Sequence, residues 1–158
     1  MGSESDMDIM KETGSMLKGF GLSFEFCIAS AHRSPNFLAA YVKRTDAGGT
    51  KVFIAGAGAA AALPGAVAAL TAKPVIGVPL ASSSLQGLDS LLSIAQMPAG
   101  VAVAAMAIGP AGARNSAILA AQILALSDRR LAGKLRKFKI DQERKVAEKN
   151  RPGGKSSG

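Results

Sequence analysis

Apolar and polar positions alternate in blocks along this chain, and the blocks change period. Met10, Gly14 and Leu17 fall on one helical stripe, and Gly19-Phe20-Gly21 punctuates it. Leu22–Ala29 is an apolar-biased run that reads as a strand. Ser34-Pro35 then opens a helix, with Ser34 as N-cap and Pro35 at the first helical position. Its apolar face carries Phe37, Leu38, Tyr41, Val42 and Thr45, and Gly48-Gly49 ends it. Lys51–Ala55 is the next short strand, and the small-residue loop Gly56–Gly65 leads into another helix. Pro74–Val78 is a strand, Gly87–Gln96 a helix with Leu88, Leu91, Leu92 and Ile94, and Val101–Ile108 a further strand. Gly109–Gly112 opens the last core helix, where Leu119, Ile123 and Leu126 recur at helical spacing.

Strand and helix thus alternate with crossovers of helical length, which predicts a three-layer, doubly wound parallel sheet. Right-handed crossovers put every strand-to-helix loop on one edge. Ser3–Asp6, Ser30–Ser34, Gly56–Leu63, Pro79–Leu85 and Gly109–Asn115 should therefore converge there. The division is a single α/β domain over 1–128 and a basic helix and tail over 129–158.

Charge changes the picture only when it is located. The net charge is +8, yet 129–158 holds eleven basic residues and three acids, so the body is neutral. Aromatic residues make up 4% of the chain and Phe138 is the sole one in the basic segment, which argues against nucleic-acid binding. No apolar run has the length and freedom from Gly and Pro that a bilayer span needs, and no signal segment opens the chain. The single Cys27, in a strand-like run, reads as a buried thiol in a reducing compartment, with cytoplasm as the expectation.

The candidate chemistry centres on Ile28-Ala29-Ser30-Ala31-His32-Arg33-Ser34-Pro35, which holds the only histidine. His32 and Arg33 fall in a turn at the carboxyl end of a predicted strand, where open α/β sheets bind ligands. An imidazole gives or takes a proton near neutral pH, and a guanidinium grips phosphate with a planar fork. The same pair would also suit a solvated surface turn. Ser3 and Asp6 have capping-box-like spacing at a helix start, and such a start is also an anion site. No metal-ligand cluster appears.

Seven ordered strings go further. They are Gly-Ser-Glu-Ser-Asp (2–6), Ser-Ala-His-Arg-Ser-Pro (30–35), Ala-Gly-Ala-Gly (55–58) with Leu-Pro-Gly (63–65), Pro-Val-Ile-Gly-Val-Pro (74–79), Gly-Leu-Asp-Ser-Leu-Leu-Ser-Ile (87–94), Gln-Met-Pro-Ala-Gly (96–100) and Ala-Ile-Gly (107–109). Together they resemble the catalytic subunit family of phosphoribosylaminoimidazole carboxylase. The closer likeness is to its bacterial-type 5-(carboxyamino)imidazole ribonucleotide mutases of purine biosynthesis. Arg33 and the Gln-Met-Pro string resemble that branch rather than the carboxylase branch, where Lys typically follows the His.

The resemblance implies a flavodoxin-like fold, a homo-octamer, and no metal or organic cofactor. It implies that Ser3, Asp6 and Arg33 hold the ribose phosphate of an imidazole ribonucleotide. Ser30, Gly58 and Leu63 join them as substrate-binding positions, and His32 is the general acid/base. The chain departs from the pattern in places. Ala62 stands where the family has a second pocket His, and Ala102 where it has Pro. Ala59 replaces a Gly, and a positive φ there would cost about 1 kcal/mol. A first strand is missing ahead of Ser3, where strand order 2-1-3-4-5 would give it two neighbours, and Met1 matches a Met often found inside the family motif. Two expectations stay open: an active mutase, or a catalytically impaired relative that binds the nucleotide phosphate.

Overall fold

The computed structural model describes residues 1–150, so the end of the basic tail, 151–158, lies outside the described residues. A short 3-10 turn, Glu4–Asp6, runs into α1 (Met7–Phe20). There follow α2 (Pro35–Ala47), β1 (Phe53–Gly58), α3 (Ala62–Ala68), β2 (Val75–Leu80) and α4 (Leu88–Ala95). The two-residue β3 (Ala104–Ala105), α5 (Pro110–Ala125) and α6 (Arg129–Lys149) complete the described residues. The sheet is parallel, in the order β1-β2-β3, with Phe53 opposite Val75 and Ile76 opposite Ala104.

Both faces of this sheet are covered, so β2 is buried along its whole length. Ile76, Val78 and Leu80 point to α1 and α5, where they meet Met10, Leu17, Ala113, Ala117 and Ala120. Val75 points the other way, into a cluster with Leu38, Val42, Leu63, Val67 and Ile94. Layer spacing is tight. A side chain at Gly77 would collide with Ile94, and one at Gly56 with the Met10 sulfur. Thr13 Oγ1 donates to Ala113 O at 2.8 Å, and Ser116 Oγ donates to the same carbonyl at 2.7 Å, which ties α1 to α5 without a buried unpaired hydroxyl.

Several predicted elements change. Leu22–Ala29 forms no strand, because a strand needs a ladder partner and among the described residues only Met1 pairs with its Cys27–Ala29 end. The predicted strand Val101–Ile108 pairs only at Ala104–Ala105, and the strands predicted at Lys51–Ala55 and Pro74–Val78 run on to Gly58 and Leu80. On α5 the buried stripe is Ala113, Ser116, Ala117, Ala120 and Ala121, whereas Leu126 is 89% exposed. Small side chains let α5 lie close to α1 and the sheet, while Leu119 and Ile123 pack half-buried at the margin of that contact and Leu126 leaves it. On α4 only Ser90 and Ile94 are buried, and Leu88 and Leu92 stay about half exposed. Cys27 is half-buried rather than buried.

The basic segment begins as a well-capped helix. Asp128 Oδ1 accepts from Arg130 N at 2.9 Å and Leu131 N at 3.0 Å. Leu131 and Leu135 are buried, Phe138 sits edge-on to Phe20 at 5.5 Å, and Lys134 Nζ donates to Phe20 O at 2.6 Å. Beyond Asp141 every described position is exposed. Removing residues 142–158 should therefore leave the melting temperature within about 2 °C, since exposed positions contribute little. Leu131→Ala should instead cost about 2–5 kcal/mol by emptying a packed site. Thermal melts of the two variants check this.

Candidate active site

The predicted loops do converge, and the hydrogen bonds that join them can be followed from one to the next. Gly2 N donates to Gly56 O at 3.3 Å, and Gly2 O accepts from Arg33 Nη2 at 3.2 Å. Gly58 lies so close to Ser82 that a Cβ on it would strike the Ser82 hydroxyl. Gly109 N donates to Pro79 O at 2.9 Å. The carboxyl ends of β1 and β2 and the amino ends of α1, α2 and α5 thus share one edge.

Ser3 and Asp6 form the first wall. Asp6 is buried, and its carboxylate accepts from Ser3 N at 2.9 Å, the reciprocal half of a capping box. Burial pushes the Asp6 carboxyl above the ordinary carboxylate range, against the pull of the Ser3 and Gly2 amides, the Met1 ammonium and Arg33. Ser3 Oγ accepts from Ser5 Oγ at 3.0 Å, which leaves its own proton free to donate.

The His32 turn forms the second wall. Ser30 Oγ accepts from Arg33 N at 3.1 Å and from Arg33 Nε at 3.4 Å. Ser30 is therefore an orienting residue for the guanidinium, which it holds over Gly2. Ser34 is the N-cap of α2 by position, but its hydroxyl serves the turn rather than the helix. Ser34 Oγ accepts from Ser30 N at 3.0 Å and donates to Ser30 O at 3.1 Å. His32 stands exposed between these fixed points, and among the described residues its ring nitrogens have no hydrogen-bond partner.

The loop after β1 differs in character. Ala59 and Ala61 both take left-handed backbone, with φ of 51° and 39°. An alanine held there costs about 1 kcal/mol or more relative to glycine. Ala62, half-buried, is the first residue of α3. The Leu63 side chain is buried in the core with Leu38 and Val42, so only its backbone, in the first turn of α3, is available to a ligand. Sequence reasoning passed over the hydroxyls after β2. Ser82 caps Gly58, and Ser83 Oγ donates to Asp89 Oδ2 at 2.6 Å. That bond holds the Asp89 carboxyl below the usual range. The Ser82-Ser83-Ser84 run behind a buried strand was the available signal.

Among the described residues no three His, Cys, Asp or Glu side chains cluster as a metal would require, and no helix is long and apolar enough to cross a membrane. The carboxyl edge of this parallel α/β sheet thus brings together the start of α1, a guanidinium held by Ser30 and Gly2, and an imidazole with no partner among the described residues, at the edge where open α/β sheets bind ligands. The AIR carboxylase family profile matches residues 1–145, and the chain belongs to that family. It is 52% identical over 146 residues to the N5-carboxyaminoimidazole ribonucleotide mutase of Saccharolobus solfataricus, covering 92% of this chain and 91% of that protein. It is also 52% identical over 149 residues to the mutase of Brucella melitensis, covering 94% and 92%. The crystal structure of Treponema denticola PurE superposes with a TM-score of 0.87 at 31% identity, covering 95% of this chain and 92% of that one. The flavodoxin-like fold follows from that match.

Two substitutions test the site. Ala59→Gly should relieve the left-handed backbone and raise stability by about 1 kcal/mol, a shift of about 2–4 °C in a thermal melt. Arg33→Ala should weaken imidazole ribonucleotide binding by about 1.5–3 kcal/mol through loss of a charge-assisted contact. Titration calorimetry at low and moderate salt reads this out; an unchanged dissociation constant would place Arg33 away from the phosphate.

Proposed function

We propose that this chain is a 5-(carboxyamino)imidazole ribonucleotide mutase of purine biosynthesis, an isomerase that moves a carboxyl from the exocyclic nitrogen to ring carbon four. The observation that carries the reading is the single turn that holds His32 beside Arg33, with the guanidinium bonded to Ser30 and Gly2. Ser3, Asp6 and Arg33 bind the ribose phosphate, assisted by amides at the start of α1. Gly58 and the Leu63 backbone border the ring, and Ser82 packs directly against Gly58.

The substrate's carbamate C–N bond breaks and carbon dioxide is released inside the pocket. The exocyclic nitrogen takes a proton from the His32 imidazolium. Ring carbon four then attacks the carbon dioxide, and its hydrogen leaves as a proton to the His32 imidazole. The proton given equals the proton returned, so a single unencumbered imidazole suffices. Water exclusion by the small-residue loop Gly56–Leu63 keeps the carbon dioxide close to its acceptor. The exposed apolar side chains Leu85, Leu88 and Leu92 support assembly with further copies, read here as a homo-octamer, and the enzyme works in the cytoplasm.

A second reading is favoured by two positions. Ala62 supplies no imidazole at the amino end of α3, and Ala59 strains the loop before it. On this reading the chain binds nucleotide and turns over poorly. A coupled assay for the mutase reaction separates the two. His32→Asn should abolish turnover and change nucleotide affinity little, because it removes the proton carrier and keeps the shape. Activity within a few-fold of the parent would overturn the assigned role. Ala62→His should raise kcat more than it changes affinity.

A further inference from the structure

Ser82-Ser83-Ser84 follows the buried strand β2, and the first of the three hydroxyls stands beside Gly58 at the end of β1. Leu80 is the β2 partner of Gly58, so the two strand ends lie level. Ser82 N donates back to Leu80 O at 3.1 Å, and this tight turn brings the Ser82 side chain across to β1. Its hydroxyl takes the space that a side chain at position 58 would need, which only glycine leaves open. Ile54, Gly56 and Gly58 share one side of β1, the side on which Met10 of α1 packs against Gly56. The Ser82 hydroxyl therefore stands at the ligand edge, on the side from which α1 starts.

The rest of the loop is tied down. Ser83 Oγ donates to Asp89 Oδ2 at 2.6 Å and accepts from Leu85 N at 3.2 Å. The buried Ser90 hydroxyl reaches Leu80 O at 3.0 Å and Gly87 O at 2.9 Å, which joins the two ends of the loop. Ser82 Oγ, by contrast, makes no hydrogen bond to any of the described residues, and Ser82 is exposed. A donor whose place is fixed by its neighbours and whose proton is unspent is prepared for a ligand, because little has to reorganise when the ligand arrives.

The part of the ligand assigned to Ser82 follows from what the other groups leave unserved. Ser3 and Arg33 suit the phosphate. At the ring, residues 56–64 carry only glycine, alanine, leucine and proline, so the loop after β1 offers no side-chain donor. Yet the carboxyl that migrates is anionic before and after its transfer, and an anion removed from water needs donors. We propose, building on the mutase reading, that Ser82 touches the substrate and that its hydroxyl donates a hydrogen bond to an oxygen of the migrating carboxyl. That bond orients the carboxylate of substrate and of product, and keeps the carbon dioxide released between them turned toward ring carbon four. Ser82 transfers no proton; the proton stays with His32. The loop after β2 thus supplies the polar contact that Ala62 does not.

Two nucleotides that differ only in the carboxyl test this: 5-aminoimidazole ribonucleotide and its 4-carboxy derivative, each titrated calorimetrically into the full chain. Ser82→Ala should weaken the carboxylated nucleotide about tenfold or more, as loss of a hydrogen bond to a charged group does, and leave the other within about twofold. Ser82→Thr, which keeps the hydroxyl, should restore most of the difference. Ser84→Ala, which removes an exposed hydroxyl of the same loop, should alter neither affinity. All three variants should melt within about 2 °C of the parent, since both positions are exposed. A ratio of the two dissociation constants that Ser82→Ala leaves unchanged overturns the proposal. So does an equal loss in Ser84→Ala, because the loop rather than the hydroxyl would then be responsible, or a Ser82→Thr chain as weak as Ser82→Ala. A parent that binds neither nucleotide overturns the proposed function as well. A parent that binds both and catalyses the mutase reaction, with an unchanged ratio in Ser82→Ala, overturns only the role of Ser82.

Discussion

Everything at the ligand edge depends on where Met1 and Gly2 are held. Four backbone groups of these two residues reach Cys27, Ala29, Gly56 and the Arg33 guanidinium. Those bonds set the amino end of α1 against the His32 turn and against β1 at once. Each is individually worth about 1 kcal/mol in net terms, but breaking one buried partner leaves another unpaired. The Arg33 guanidinium adds charge to the junction, and the buried Asp6 carboxyl lies on the same loop. The site is therefore assembled by backbone geometry, and its polar side chains are added to a frame that already exists.

The rest of the sheet is built to make that frame rigid. Glycine and alanine at the layer contacts, such as Gly56 under Met10 and Gly77 under Ile94, bring helices onto strands closely enough that nothing can shift without a clash. Thr13, Ser90 and Ser116 are buried, and each spends its hydroxyl on a backbone carbonyl. Such packing resists small movements.

The loop after β1 shows the tension between stability and site geometry. Its left-handed alanines are strained, and strain of that kind persists only where surrounding structure imposes the conformation. Here β1 on one side and the buried Leu63-Pro64 pair on the other leave the four intervening residues, Ala59 to Ala62, little choice. Ala62 comes directly after the left-handed Ala61, so the position on which the two readings of function differ is set by the strained turn before it.

Much of this was legible in the chain itself. Ser34-Pro35 announced α2, Gly48-Gly49 its end, and the block alternation announced a parallel sheet with its loops on one edge. The ordered strings from Gly2 to Gly109 pointed to the family, because each lies where a backbone turn or a close approach restricts the residue. Local sequence could not decide which stripe of a helix is buried when small and large apolar residues compete, as on α5, since close packing against α1 favoured alanine over leucine. Nor could it decide that Leu22–Ala29 forms no strand. An extended run becomes a strand only when a neighbour supplies a ladder, and whether one does is a property of the folded molecule. The side chains of Ser30 and Ser34 likewise found their partners in the turn rather than in the helix they precede. The chain by itself determined the helices, their order and the family; tertiary structure alone decided which extended runs were paired as strands, because a ladder needs a neighbour that local sequence does not supply.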